Sequence, residues 1–125
     1  KPYLARVAGQ PAEDGGTVDL PLRCDWPNRP RQMVDHEEGR SARTHWRVLE
    51  RERYATRVQL EPVTGRSHQL RVHMCAIGHP ILGDPLYGTL ESQQAASRLQ
   101  LHAESLTLHH PCGGERMTFS APCPF

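Results

Sequence analysis

Tyr3, Ala5 and Val7 alternate with Leu4, Arg6 and Ala8 until Gly9 and Pro11 stop the run. That period of two predicts a strand over residues 3–8. From Ala12 to Arg40 the breakers Gly15, Gly16, Pro21, Pro27, Pro30 and Gly39 come too often for a long helix or a central strand, so an irregular, surface-hugging segment is expected. Over residues 42–51, Thr44, Trp46 and Val48 fall on one face and His45, Arg47 and Leu49 on the other. Thr56, Val58 and Leu60 keep the same step over residues 55–61, which predicts an antiparallel hairpin turning at Glu52-Arg53-Tyr54.

The period then lengthens. Leu70, Met74 and Ile77 follow spacings of four and three, with Ser67 available as a cap and Gly78 as a stop, which predicts a helix over residues 67–77. Pro80, Gly83, Pro85 and Gly88 make residues 79–88 a shaped loop, and residues 91–97 suit a short helix. Leu99, Leu101 and Ala103, then Leu106 and Leu108, describe one strand offset by a bulge. Met117 to Ala121 is a second strand, and Pro111-Cys112-Gly113-Gly114 is the turn between them. Strands outnumber helices and pair locally. The expected class is α+β, a mostly antiparallel mixed sheet with one or two short helices.

A chain of 125 residues is about one domain. Val, Ile, Leu and Phe supply only 24 residues, which leaves a thin core, but the net charge of +1 argues against disorder. That balance of 15 basic and 14 acidic residues also gives no global field for nucleic acid or an anionic membrane, so any basic site must be local. No window approaches the roughly 20 apolar residues of a membrane span, and residues 1–20 do not read as a signal peptide. Cys24, Cys75, Cys112 and Cys123 lie far apart with no C-x-x-C pair, which suits reduced thiols in the cytoplasm.

The local charge is uneven. Between Arg40 and His73 eight arginines stand against three glutamates. If Arg43, Arg47, Arg51 and Arg53 lie along one strand with Arg57 across the hairpin, they form a basic stripe suited to phosphates. The other reading is a solvated face, since the chain uses 14 Arg and a single Lys throughout.

The segment Thr64-Gly65-Arg66-Ser67-His68-Gln69-Leu70-Arg71-Val72-His73 crowds cations at a helix start, where the dipole favours anions. A buried carboxylate or an anionic ligand is needed to offset them. Metal chemistry is not spelled out: His68 and His73 are five apart, His109 and His110 point oppositely along a strand, and no H-E-x-x-H or Cys pair accompanies them. Neither Ser67 nor Ser105 sits in a G-x-S-x-G elbow, and phosphate-loop and dinucleotide fingerprints are missing. Hydrolase, kinase and dehydrogenase readings fall away.

The string Gly65-Arg66-Ser67-His68-Gln69-Leu70-Arg71-Val72-His73, followed by Gly78-His79-Pro80-Ile81-Leu82-Gly83-Asp84 and Tyr87-Gly88, resembles the RluA-type family of pseudouridine synthases. Lys1-x-Tyr3-x-Ala5-x-Val7-x-Gly9 resembles the family's upstream strand motif. Leu101-His102-Ala103, His110-Pro111 and Met117-x-Phe119-x-Ala121-Pro122 resemble its closing hairpin. Asp19-Leu20-Pro21-Leu22-x-Cys24-Asp25-Trp26-Pro27-Asn28-Arg29-Pro30 is similar to the subgroup that modifies both 23S rRNA and a tRNA anticodon stem-loop.

The resemblance implies uridine isomerisation without a cofactor or metal. An aspartate activates the ribose C1′, the glycosidic bond breaks, the uracil turns, and C5 rejoins the sugar. That aspartate belongs to an H-R-L-D motif upstream of the tyrosine, and no such motif occurs here; Asp14, Asp19, Asp25, Asp35 and Asp84 all lack its context. The chain therefore reads as the C-terminal half of a catalytic domain cut just before Tyr3. Its implied partners are structured RNA and an N-terminal half carrying the aspartate.

By the same resemblance, Arg71 is the arginine that pairs with the catalytic aspartate, its countercharge lying outside this chain. Tyr3 is the tyrosine that stacks near the flipped base and helps remove the C5 proton. Leu70 packs beside the uracil, and Arg66, His68 and Gln69 position the RNA or the loop. Two other classes compete: a non-catalytic RNA-binding module and a small metal-dependent enzyme. In the synthase reading Tyr3 and Arg71 converge on a carboxylate-sized space, and the strand at residue 3 becomes an unpaired sheet edge without the missing half.

Overall fold

A computed structural model describes residues 1–104 and 123–125, together with the backbone of two strands between them. In chain order the strands begin with β1 (Tyr3–Ala8), β2 (Gly15–Asp19), β3 (Leu22–Cys24) and β4 (Gln32–Val34). The hairpin β5 (Arg43–Arg51) and β6 (Ala55–Pro62) follows, then helices α1 (Gln69–Ala76) and α2 (Leu90–Gln94). Strands β7 (Leu101–Ala103), β8 (Leu106–His109) and β9 (Arg116–Phe119) close the chain. The main sheet is antiparallel throughout, in the order β2-β5-β6-β1-β7, while β3 with β4 and β8 with β9 form separate two-stranded sheets. The α+β expectation holds. The predicted turn at Pro111–Gly114 lies outside the described residues.

Alternation in β1 and β6 decides which face of the sheet is dry. Ala5 and Val7 stand opposite Val58 and Thr56, and Ala5, Val7 and Val58 join Leu60, Leu70, Met74 and Ile81 in a core that α1 covers. Burying an aliphatic side chain of this size contributes roughly 1.5–3 kcal/mol, so even a thin inventory suffices when concentrated on one face. The far side of α1 buries Val72 against Leu22, Ala42 and Tyr87, which ties the β3–β4 hairpin to the helix. A helix wedged between two apolar surfaces is pinned from both sides. Its N-terminus therefore has a fixed position relative to β1.

Several expectations need correction. The segment from Ala12 to Arg40 holds three strands and a short 3-10 turn, Trp26–Asn28, because β5 and the β3–β4 pairing supply tertiary partners that outweigh the breakers. Helix α1 starts at Gln69, not Ser67. His68 occupies the cap position in the left-handed region at φ 55°, without a side-chain capping bond. Helix α2 is Leu90–Gln94 and is capped by Thr89, whose hydroxyl accepts from the Ser92 amide at 3.1 Å. The strand expected across residues 99–108 is two strands in two different sheets. Strand β1 is not an edge: β6 flanks one side, and β7 with the Ile81–Leu82 segment flanks the other.

The basic stripe is also broken. A bulge between Val48 and Glu50 shifts the register, so that Glu50 faces Arg57 and Arg51 faces Thr56. Cross-strand partners share a face, so Arg51 lies on the side opposite to Arg43 and Arg47. Arg43 pairs with Asp19, Arg51 with Asp14, and Arg57 with Glu52, at 2.9–3.0 Å. Arg53 stacks on Tyr54 in the turn. The carboxylates that balance this cluster come mostly from β2 and its approach, outside the arginine-rich stretch.

Candidate active site

Tyr3, Arg66, His68, Gln69, Leu70 and Arg71 all border one open cleft of about 260 Å³ between the start of β1, the loop after β6 and the start of α1. Pro62, Thr64, Gly65 and Leu101 also line it, and no carboxylate among the described residues does. Tyr3 sits on the core face of β1, and Leu70 on the first turn of α1, only 7% exposed, belongs to the core cluster beside it. A Cβ placed on Gly65 would meet nothing within 4 Å. The cleft side of that glycine is open.

Gln69 is a structural residue. Its amide nitrogen donates to the Arg43 carbonyl at 2.8 Å and to the Thr44 hydroxyl at 3.0 Å. Its amide oxygen accepts from the Thr64 hydroxyl at 2.7 Å and the Arg66 backbone N–H at 3.1 Å. With both ends of the amide engaged, Gln69 fixes the loop that forms the cleft wall and has little left for a ligand. Thr44 continues the network to His73, whose Nε2 donates to the Leu20 carbonyl at 2.8 Å. Burial pushes the His73 pKa down, so the ring is held neutral between these partners. Gln69→Leu keeps the volume but strands these buried groups. Urea unfolding should show a loss of about 3 kcal/mol with unchanged slope; an unaltered midpoint would mean the network contributes nothing.

His68 pays for its left-handed backbone, about 1 kcal/mol or more for a residue with a Cβ, and gains a fixed ring. Its Nδ1 lies 2.7 Å from the Tyr87 hydroxyl, and the two rings meet edge to face at 5.6 Å. The same hydroxyl accepts from the Gln32 backbone N–H at 2.8 Å. Burial, then the field of Arg71, lowers the His68 pKa, so a neutral Nδ1 accepts the Tyr87 proton. Burial raises the Tyr87 pKa, keeping that proton in place.

Arg71 departs from the sequence reading. Its countercharge is in this chain: Nε and Nη2 donate to the two oxygens of Asp84 at 2.9 and 2.7 Å. Asp84 is fully buried and also accepts from the Leu86 and Tyr87 amides. Burial opposes its charge, but the Arg71 pairing and the two amides outweigh burial and hold the carboxyl below its ordinary range. The Asp84 hydrogen bond in turn raises the Arg71 pKa. A buried carboxylate offsetting the cations was foreseen, yet Asp84 and Tyr87 were not assigned to the site. The signal was present in Gly83-Asp84 and Tyr87-Gly88, which the resemblance quoted without giving them roles. Among the described residues no group of three His, Cys, Asp or Glu side chains is placed to hold one metal ion.

The sequence profile of the RNA pseudouridylate synthases matches residues 1–76. The dual-specificity RNA pseudouridine synthase RluA of Escherichia coli (strain K12) is 57% identical over 129 aligned residues, covering 100% of this chain and 58% of that protein. Its Vibrio cholerae namesake is 53% identical, covering 100% and 51%. The solved human RNA pseudouridylate synthase domain containing 1 superposes with a TM-score of 0.83 at 32% identity, over 100% of this chain and 55% of the human one. A second human structure, RNA pseudouridylate synthase domain containing 4, gives 0.71 at 26% identity. The chain thus spans a little over half the length of these relatives. Matched along its whole length in sequence and in backbone, it belongs to the RluA-type family of RNA pseudouridylate synthases.

Proposed function

We propose that this chain forms the C-terminal half of the catalytic domain of a synthase that converts uridine to pseudouridine in 23S rRNA, a tRNA anticodon stem-loop, or both, in the cytoplasm. The observation that carries the reading is the convergence of Tyr3, from the first strand, with Leu70 and Arg71, from the helix, on one cleft to which no carboxylate among the described residues contributes. The reaction needs an aspartate at the ribose C1′, and the rest of the polypeptide supplies it. Tyr3 offers a ring to the flipped base and an oxygen for the C5 proton. Leu70 gives the uracil an apolar neighbour, and Arg71 steadies the reacting carboxylate. No cofactor enters.

Gln69 acts through the loop rather than on the RNA. Arg66, whose Nε donates to the Ser41 carbonyl at 2.9 Å, borders both the cleft and an adjoining polar groove with Arg40. Those cations suit phosphates on either side of a flipped nucleotide. The intact polypeptide should therefore bind a uridine-containing stem-loop with an affinity that falls steeply with salt, and pseudouridine should appear at a defined position. Salt-dependent binding with no pseudouridine would favour the non-catalytic RNA-binding module. Neither binding nor isomerisation would sink both readings.

A further inference from the structure

We propose that Asp84 is a positioning residue for this reaction: it grips Arg71 along one edge and leaves the other edge facing the cleft as a preset pair of donors for the reacting carboxylate. The inference rests on the synthase reading. A guanidinium carries five N–H donors in a fixed plane. Asp84 takes the side edge, Nε and Nη2, at 2.9 and 2.7 Å. Nη1 makes no hydrogen bond to any described residue, and Arg71 borders the cleft. The end edge of the plane, Nη1 with the second proton of Nη2, has no partner among the described residues and can take a bidentate one.

Asp84 can act this way because it is itself immobile. The Leu86 and Tyr87 amides donate to its Oδ1 at 2.9 and 3.2 Å, and it has no exposed surface. Gly83 precedes it at φ +74°, where a Cβ would lie 2.0 Å from the Arg98 carbonyl, so only glycine allows this turn. The Arg71 guanidinium also lies over the Tyr87 ring, 5.2 Å from its centre. The positioning runs from the Gly83 turn through Asp84 to Arg71.

The pairing also sets the charge seen by the cleft. His68, Tyr87 and Cys75 face the pair, from the start of α1, the loop after Asp84 and the last turn of α1, and Arg31, from the approach to β4, lies over the Tyr87 ring. Burial disfavours the charged form of His68, Tyr87 and Cys75, so near neutrality the charged groups are Arg31, Arg71 and Asp84. With Asp84 ionised, the reacting carboxylate meets oriented donors on a neutral pair instead of a bare cation. A bare cation would lower that carboxylate's pKa and blunt its nucleophilicity.

Asp84→Asn in the intact synthase tests this. The amide group sets a donor against Arg71 and removes the charge. Turnover on a C5-tritiated stem-loop should fall about 100-fold from lost orientation, with KM for RNA nearly unchanged. The acidic limb of the pH–rate profile should move about one unit lower, since the cation is no longer countered. Wild-type turnover, or a loss with an unmoved limb, overturns the proposal. If the variant does not fold, the wild-type protein labelled with ¹⁵N-arginine decides: slow water exchange of the Arg71 Nε–H, retained on RNA binding, supports the grip, and fast exchange overturns it. An intact wild type that makes no pseudouridine would instead refute the synthase reading, whatever the exchange rate.

Discussion

Residues 1–125 on their own are expected to release no tritium above background from a C5-tritiated uridine stem-loop. The step at ribose C1′ needs a carboxylate that can reach the sugar, and none of the five aspartates of the chain lines the cleft. Asp14 and Asp19 pair with Arg51 and Arg43 at the β2–β5 side of the sheet. Asp25 accepts from the Asn28 amide, and Asp35 accepts from Arg23 and from the Glu37 and Glu38 amides. Asp84 is near the cleft but sealed, with both oxygens engaged by Arg71 and one also by backbone amides. The intact polypeptide in the same assay should release tritium in step with pseudouridine formation. Release by residues 1–125 alone would overturn the assignment of the chemistry to an aspartate outside this chain.

Arg71→Lys in the intact synthase should lower turnover by about 100-fold or more, the scale seen when one preset donor to a developing charge is removed. Lysine keeps the charge, so a purely electrostatic role would survive the change. What it loses is the plane: a single ammonium cannot take both Asp84 oxygens along one edge and present two parallel donors along another. The amine would be drawn to Asp84, which is buried and already anchored, and would leave the cleft carboxylate without its fork. Circular dichroism and thermal melting should still report a folded protein. Near-normal turnover in a folded Arg71→Lys variant would show that the planar pairing does not matter to the reaction.

How much of this was legible in the sequence depended on how local the cause was. The alternation in residues 3–8, 42–51 and 55–61 gave β1, β5 and β6, because a strand with one dry face must alternate. The helix near residues 69–76 followed from apolar spacing, although its first residue did not: the start is fixed by the Gln69 amide network and the Tyr87 contact of His68, which are tertiary. Composition and spacing gave no function. The long motif from Gly65 to His73 gave the family, and the five residues nominated within it border one cleft with Tyr3 from the opening strand motif.

Other features were decided by partners distant in the chain. Strand β2 forms among breakers because β5 offers it a ladder, and the bulge at Val48/Glu50 turns Arg51 away from a stripe that periodicity alone would have completed. Arg71 has a countercharge inside this chain that the sequence did not assign to it, Asp84. A motif records that an arginine is needed, but which carboxylate it meets depends on where the Gly83 turn lands in space. The sequence by itself determined the apolar faces, the hairpin, the family and the residue types that chemistry requires, since each follows from neighbours a few positions away. Only the tertiary structure decided the charge pairings, the strand order and the orientation of the Arg71 plane, because those depend on contacts between segments that the chain separates and packing brings together.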